Sequence, residues 1–106
     1  MNELLTSLYV AYELADEKYA IKISDVHEII KMQNITPIPN SQPFLEGVIN
    51  LRGKIIPVVN LHKRLGLVNY TSTKKTRIVV VKSRGEMIGI VVDKVNHVIR
   101  FSDIQP

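Results

Sequence analysis

Residues 46–61 read Glu46-Gly47-Val48-Ile49-Asn50-Leu51-Arg52-Gly53-Lys54-Ile55-Ile56-Pro57-Val58-Val59-Asn60-Leu61. Two apolar runs flank Arg52-Gly53, which predicts a β-hairpin with Arg52 at its tip. Gly53 supplies the positive φ that such a turn often needs. Val48, Ile49 and Leu51 lead into the turn, and Ile55, Ile56, Val58, Val59 and Leu61 lead out of it. Apolar residues on both parities predict a second strand covered on both faces, because a surface hairpin would alternate. The stretch reads as the wall of a small barrel, with a guanidinium held at a fixed point on its rim.

Working outward, the chain repeats itself. At an offset of 69 residues, Tyr9 to Pro37 lies over Ile78 to Pro106 without a gap. Glu17 falls on Glu86, Ala20-Ile21 on Gly89-Ile90, Val26 on Val95, and Pro37 on Pro106. Each copy begins with an alternating strand, Leu8 to Leu14 or Arg77 to Lys82. A polar turn and a second strand follow, Lys18 to Ile23 or Met87 to Val92. Next comes Ser24 to Ile30, matched by Asp93 to Ile99. Val26, Ile29 and Ile30 stand at helical spacing behind Ser24 or Asp25, which favours one or two helical turns. Their β-branched character keeps a kinked strand open. A further strand is expected near Ile35 to Ile38, then a loop bounded by Pro37, Pro39 and Pro43. After the hairpin, Asn60 to Gly66 reads as a short capped helix stopped by Gly66.

The second copy has no counterpart of Ile38 to Leu67, the part that holds the hairpin. A barrel without its inner strands leaves open edges and an uncovered apolar face. The expectation is a fragment of a longer domain, or a chain completed by exchanging or pairing strands with a second copy.

The bulk numbers fit one compact unit. The 106 residues are 45% hydrophobic and 23% charged, with no cysteine and a net charge of +4. Disulfide and thiol chemistry are excluded, and a cytoplasmic location is favoured. No apolar run approaches the roughly 20 residues of a membrane span, and Met1 to Val10 lacks the basic start of a secretory signal. The basic clusters His62-Lys63-Arg64 and Lys74-Lys75-Thr76-Arg77 sit beside expected turns without interleaved aromatics. Solvated charge accounts for them better than a nucleic-acid surface does. His27, His62 and His97 stand in no metal-ligand spacing, and there is no Gly-rich phosphate loop. Nothing points to a catalytic centre, a metal or a cofactor.

Glu46 to Gly53, then Ile56 to Leu61, together with Gly89-Ile90-Val91-Val92-Asp93-Lys94-Val95, resemble the CheW family of bacterial chemotaxis coupling proteins. Tyr19 to Ile23 and Val26 to Ile29 are similar to that family's first helix region. The resemblance covers nearly the whole chain. It implies a mainly β protein of two SH3-like β-barrel subdomains, agreeing with the duplication. Residues 1–68 would then make the first barrel, including the central hairpin, and residues 69–106 an incomplete second one. It also implies an adaptor without catalysis. Such proteins link the cytoplasmic tips of chemoreceptors to the regulatory domain of the histidine kinase CheA, at arrays beneath the inner membrane. Asn60 stands where many members carry Asp.

Site candidates follow from the residues and the resemblance together. Arg52 leads, because its rigid five-donor fork suits carboxylates and backbone oxygens. Gly47 and Gly53 serve the hairpin backbone, with Gly47 also able to admit a partner helix. Asn50 either satisfies a strand edge or holds the loop. The resemblance places Val26, Glu28 and Ile29 near the groove that receives the receptor hairpin, with plain core as the other reading for the two apolar ones. It places Ile90, Val91, Val92 and Val95 on a second barrel facing the kinase domain, again with core as the alternative. Two further readings stay open: a small basic β-barrel that binds nucleic acid, and a CheW-like module of a larger protein of the CheV or CheA type. A free coupling protein is favoured because Met1 lies close to the first strand.

Overall fold

The computed structural model describes residues 8–64 and 73–100. Eight strands carry the fold: β1 (Leu8–Leu14), β2 (Glu17–Lys22), β3 (Val26–Lys31), β4 (Leu45–Leu51), β5 (Lys54–Asn60), β6 (Arg77–Ser83), β7 (Glu86–Val92) and β8 (Lys94–Arg100). A 3-10 turn at Ile23–Asp25 separates β2 from β3, and a helical turn, α1 (Leu61–Arg64), follows β5. Two sheets result, one ordered β2-β1-β8 and the other β3-β6-β7-β5-β4.

The duplication is visible strand by strand. The offset that aligns the sequences lays β1, β2 and β3 over β6, β7 and β8. The β1–β2 turn takes positive φ at Ala15 and Asp16, and the β6–β7 turn takes it at their counterparts Arg84 and Gly85. Hairpin registers correspond too: Leu14 faces Glu17, and Ser83 faces Glu86. The third strand of each copy leaves its own hairpin and pairs with the first strand of the other. Thus β3 lies antiparallel to β6, with Ile30 opposite Ile78, and β8 lies antiparallel to β1, with Ile99 opposite Tyr9. Both of these pairings carry a register shift at corresponding places, Val26/Glu28 and Val10/Tyr12. The two copies are therefore interlocked about a pseudo-twofold, with their third strands exchanged.

That exchange corrects the expected division at residue 68. Strand β3 and the hairpin β4–β5 belong with β6 and β7, while β8 returns to β1 and β2. The physical reason is the crossover at each third strand, which no hydropathy pattern reports. The shortfall expected of the second barrel accordingly falls elsewhere. Among the described residues it is the sheet holding β1 and β2 that has three strands.

The five-stranded sheet closes on itself. Beyond β3 the chain reaches Thr36, which exchanges two backbone hydrogen bonds of 2.9 Å with Val48 on β4. This single bridge is all that forms of the strand expected near Ile35 to Ile38. Strand β5 runs antiparallel to β4 and parallel to β7, and the parallel pairing starts at Val58. Pro57, which has no N–H to donate, lies just outside that ladder. The lumen is packed by Ile49, Ile56, Val58, Ile78, Val80 and Val91, with Ile30, Met32, Ile35, Leu51 and Met87 against them. A second set, Val10, Leu14, Val79 and Val92, is equally buried but has the opposite parity. Of these, Val10 and Leu14 lie on β1 and Val92 on β7, two strands that contact each other.

Two local expectations are overturned. Val26 to Ile30 forms strand rather than helix, with half-buried and exposed positions alternating. Pairing with β6 decides it, since β-branched residues fit a pleated surface better than a helix. The second hairpin strand is not covered on both faces: Ile56 and Val58 are buried, but Ile55 is 64% exposed. The capped helix is present as α1, with the Asn60 Oδ1 accepting the His62 N–H at 2.9 Å. Its expected stop, Gly66, lies outside the described residues.

Candidate docking site at the hairpin tip

The β4–β5 turn is built from Asn50 to Gly53. Arg52 and Gly53 both take positive φ, 52° and 87°, as a two-residue hairpin of matching twist requires. The Asn50 Oδ1 accepts the Gly53 N–H at 2.8 Å, so Asn50 holds the loop. Fixing the turn backbone fixes where the Arg52 side chain starts.

The guanidinium then meets Glu28 from β3. Arg52 Nη1 donates to one carboxylate oxygen at 2.5 Å and Nη2 to the other at 2.8 Å, a two-pronged pair. The Arg52 side chain is 70% exposed and that of Glu28 23%. The guanidinium on the rim is thus tethered, and accessible on its outer side. The hydrogen bond from Arg52 holds the Glu28 carboxyl below its ordinary range; the guanidinium charge and His27 act in the same direction, against desolvation. His27 Nε2 lies 3.7 Å from the same carboxylate.

A depressed carboxylate pKa stabilises the folded state above the ordinary carboxylate value, and that contribution disappears as pH falls through the lowered value. Arg52→Ala is expected to return the Glu28 titration upward to the ordinary range, read from its side-chain carboxyl carbon shift by NMR. An unchanged titration would show that the pair does not persist in solution.

Beside the tether lies a shallow pocket of about 140 Å³, lined by His27, Leu51, Arg52, Lys54, Ile56 and Met87. An apolar floor beneath a charged fork suits a partner that presents an apolar side chain next to a hydrogen-bond acceptor.

The remaining candidates scatter. Gly47 is buried, at a register shift in β4, with φ at +144°. A Cβ there would stand 2.1 Å from the Thr36 carbonyl oxygen, so the close approach it permits is to its own chain. Ile29 is 39% exposed and Val26 half-buried, both on β3 and so on the strand that carries Glu28. Ile90 is half-buried on β7. Val91 and Val92 are 1% exposed and closed off from any partner, which corrects their reading as contact residues. Packing decides it, because Val91 fills the barrel lumen. Val95 is parted from that group as well: it lies on β8 and pairs with Tyr12 in the three-stranded sheet.

His27 and Met87 neighbour Arg52 without any sign of it in the sequence. The crossover that brings β3 beside β6 and under the hairpin tip leaves no local signal in the sequence. Among the described residues no group of histidines and carboxylates has metal-binding geometry, and no helix is long and apolar enough to cross a membrane.

Comparison with known proteins agrees with this fold. The chemotaxis protein CheW of Thermotoga maritima is 38% identical over 96 residues, which cover 91% of this chain and 63% of that protein. The CheW of Bacillus subtilis is 40% identical over 90 residues, covering 85% and 58%. The crystal structure of the scaffolding protein TtCheW from Thermoanaerobacter tengcongensis superposes with a TM-score of 0.85 at 45% identity, over 90% of this chain and 62% of that one. The chain thus spans about three fifths of the length of these relatives. The CheW-like domain model matches residues 8–105, and the chain belongs to that family.

Proposed function

We propose that this chain is a coupling adaptor of bacterial chemotaxis, which binds the cytoplasmic tips of chemoreceptors and the regulatory domain of the histidine kinase CheA. The observation that carries the reading is the Arg52–Glu28 fork, exposed at a fixed hairpin tip above an apolar pocket. A transmitter that works by binding needs rigid, oriented recognition groups more than reactive ones. The relatives' names, chemotaxis protein and scaffolding protein, support the same role. It acts without catalysis, in the cytoplasm at receptor arrays.

Within this reading the hairpin tip and Ile90 face the kinase domain, with the exposed Ile55 extending that surface. Val26 and Ile29, on the strand that carries Glu28, take the receptor hairpin. Among the described residues β2 pairs only with β1, so a second copy can cover that edge in a homodimer. A mass measurement in solution reads that directly, a monomer counting against it.

Titration of the CheA regulatory domain tests the assignment. Arg52→Ala and Ile90→Asp are each expected to weaken binding by about tenfold or more, as loss of an interface anchor does. Unchanged affinity in both variants would place the site elsewhere.

A further inference from the structure

A second charged contact lies away from the hairpin tip. His62, on α1, is 3% exposed, and its Nε2 sits 2.9 Å and 3.0 Å from the two carboxylate oxygens of Asp93. Asp93 is the single residue between β7 and β8, where the chain leaves the closed barrel for the three-stranded sheet. The same carboxylate accepts the Ala15 N–H, in the β1–β2 turn, at 2.7 Å. The Asp93 N–H in turn donates to the Glu13 carbonyl at 3.0 Å. Barrel, crossover and first hairpin therefore converge on one side chain.

The internal duplication supplies the comparison. The position equivalent to Asp93 in the other crossover is Ser24, in the 3-10 turn. No carboxylate stands there, so this carboxylate-centred joint exists on one side of the pseudo-twofold only. The contact of β1 with β7, strands that carry the buried Val10, Leu14 and Val92, holds the units together without direction, because hydrophobic burial is insensitive to small sliding. Hydrogen bonds to a charged group are directional and lose strength steeply as their angles open. The contact at Asp93 is the element able to fix an angle.

We infer that Asp93 is a positioning residue, latching the three-stranded sheet to the barrel through His62 and Ala15 and so setting the angle at which the two units present their outer faces. The inference goes beyond the adaptor reading and does not depend on which partners those faces take.

The absence of cysteine makes the test direct. Lys18→Cys on β2 and Lys82→Cys on β6, both exposed positions, accept one spin label each in the full chain. Double electron–electron resonance then reports the distance between the units. The parent is expected to give one narrow distribution. Asp93→Ala is expected to lose it to a broad or two-peaked one. Asp93→Asn keeps an acceptor for the Ala15 amide but not the charge facing His62, and is expected to fall between them. Amide-exchange protection at Ile78 and Val80 shows whether the barrel itself is intact. Should Asp93→Ala lose that protection, His62→Gln carries the test with the same expected broadening. A distribution as narrow as the parent's in a variant with an intact barrel overturns the inference. A failure to bind the kinase domain would leave the distance result standing, so the two readings fail separately.

Discussion

Gly47→Ala is expected to cost the fold about 4 kcal/mol, a large part of the 5–15 kcal/mol that holds a domain of this size. Three effects combine. The backbone sits at φ +144°, which an L side chain rarely adopts. The new methyl would stand 2.1 Å from the Thr36 carbonyl oxygen and 2.7 Å from its carbon, both backbone atoms that cannot rotate aside. Relief by backbone movement breaks the paired Thr36–Val48 hydrogen bonds, each worth about 1 kcal/mol. That bridge closes the barrel between the segment after β3 and β4. Urea denaturation checks it: the midpoint should drop steeply, with amide protection lost first at Thr36 and Val48. A loss below about 1 kcal/mol would mean the barrel is not closed there.

Ile78→Ala is the second large effect, with an expected loss of about 3 kcal/mol. Ile78 is 0% exposed and sits in the lumen between β3 and β7, opposite Ile30 and Val91. The cost has two parts, the lost transfer of the methylenes from water and the cavity that a closed barrel cannot collapse to fill. Ile55→Ala is the matched control. Ile55 is 64% exposed, and its truncation should stay within about 0.5 kcal/mol. The two substitutions remove the same atoms, so equal losses would contradict the inside and outside assigned to this barrel.

Much of this architecture is legible from residues alone, because its signals are local. Arg52-Gly53 between apolar runs marks a hairpin, and that hairpin forms with both residues at positive φ. The copies at Tyr9 and Ile78 correspond down to their turn conformations, since duplicated turn chemistry preserves backbone geometry. Asn60 before Leu61 reads as a helix cap and acts as one. What the sequence hides is non-local. Val26 to Ile30 has helical spacing by coincidence, and only the presence of β6 makes it a strand. Strand exchange between the copies depends on crossovers whose residues, Asp93 and Ile23 to Asp25, look like ordinary turns. For the same reason Glu28 and Arg52 can each be singled out as site candidates while their pairing stays invisible, with 23 residues between them in the chain. Val91 and Val92 are the converse case. An apolar strand in a doubly covered sheet looks like a greasy docking face until packing shows what already fills it.

In the proposed adaptor role, this chain would hold a receptor tip and the CheA regulatory domain at once through fixed surfaces. Size-exclusion chromatography with light scattering on a mixture of receptor cytoplasmic tip, CheA regulatory domain and this chain tests it most directly. The account predicts a ternary species that forms only when the chain is present and that Arg52→Ala depletes. Binding of each partner alone with mutual displacement in the mixture, or a ternary species indifferent to Arg52, would contradict it.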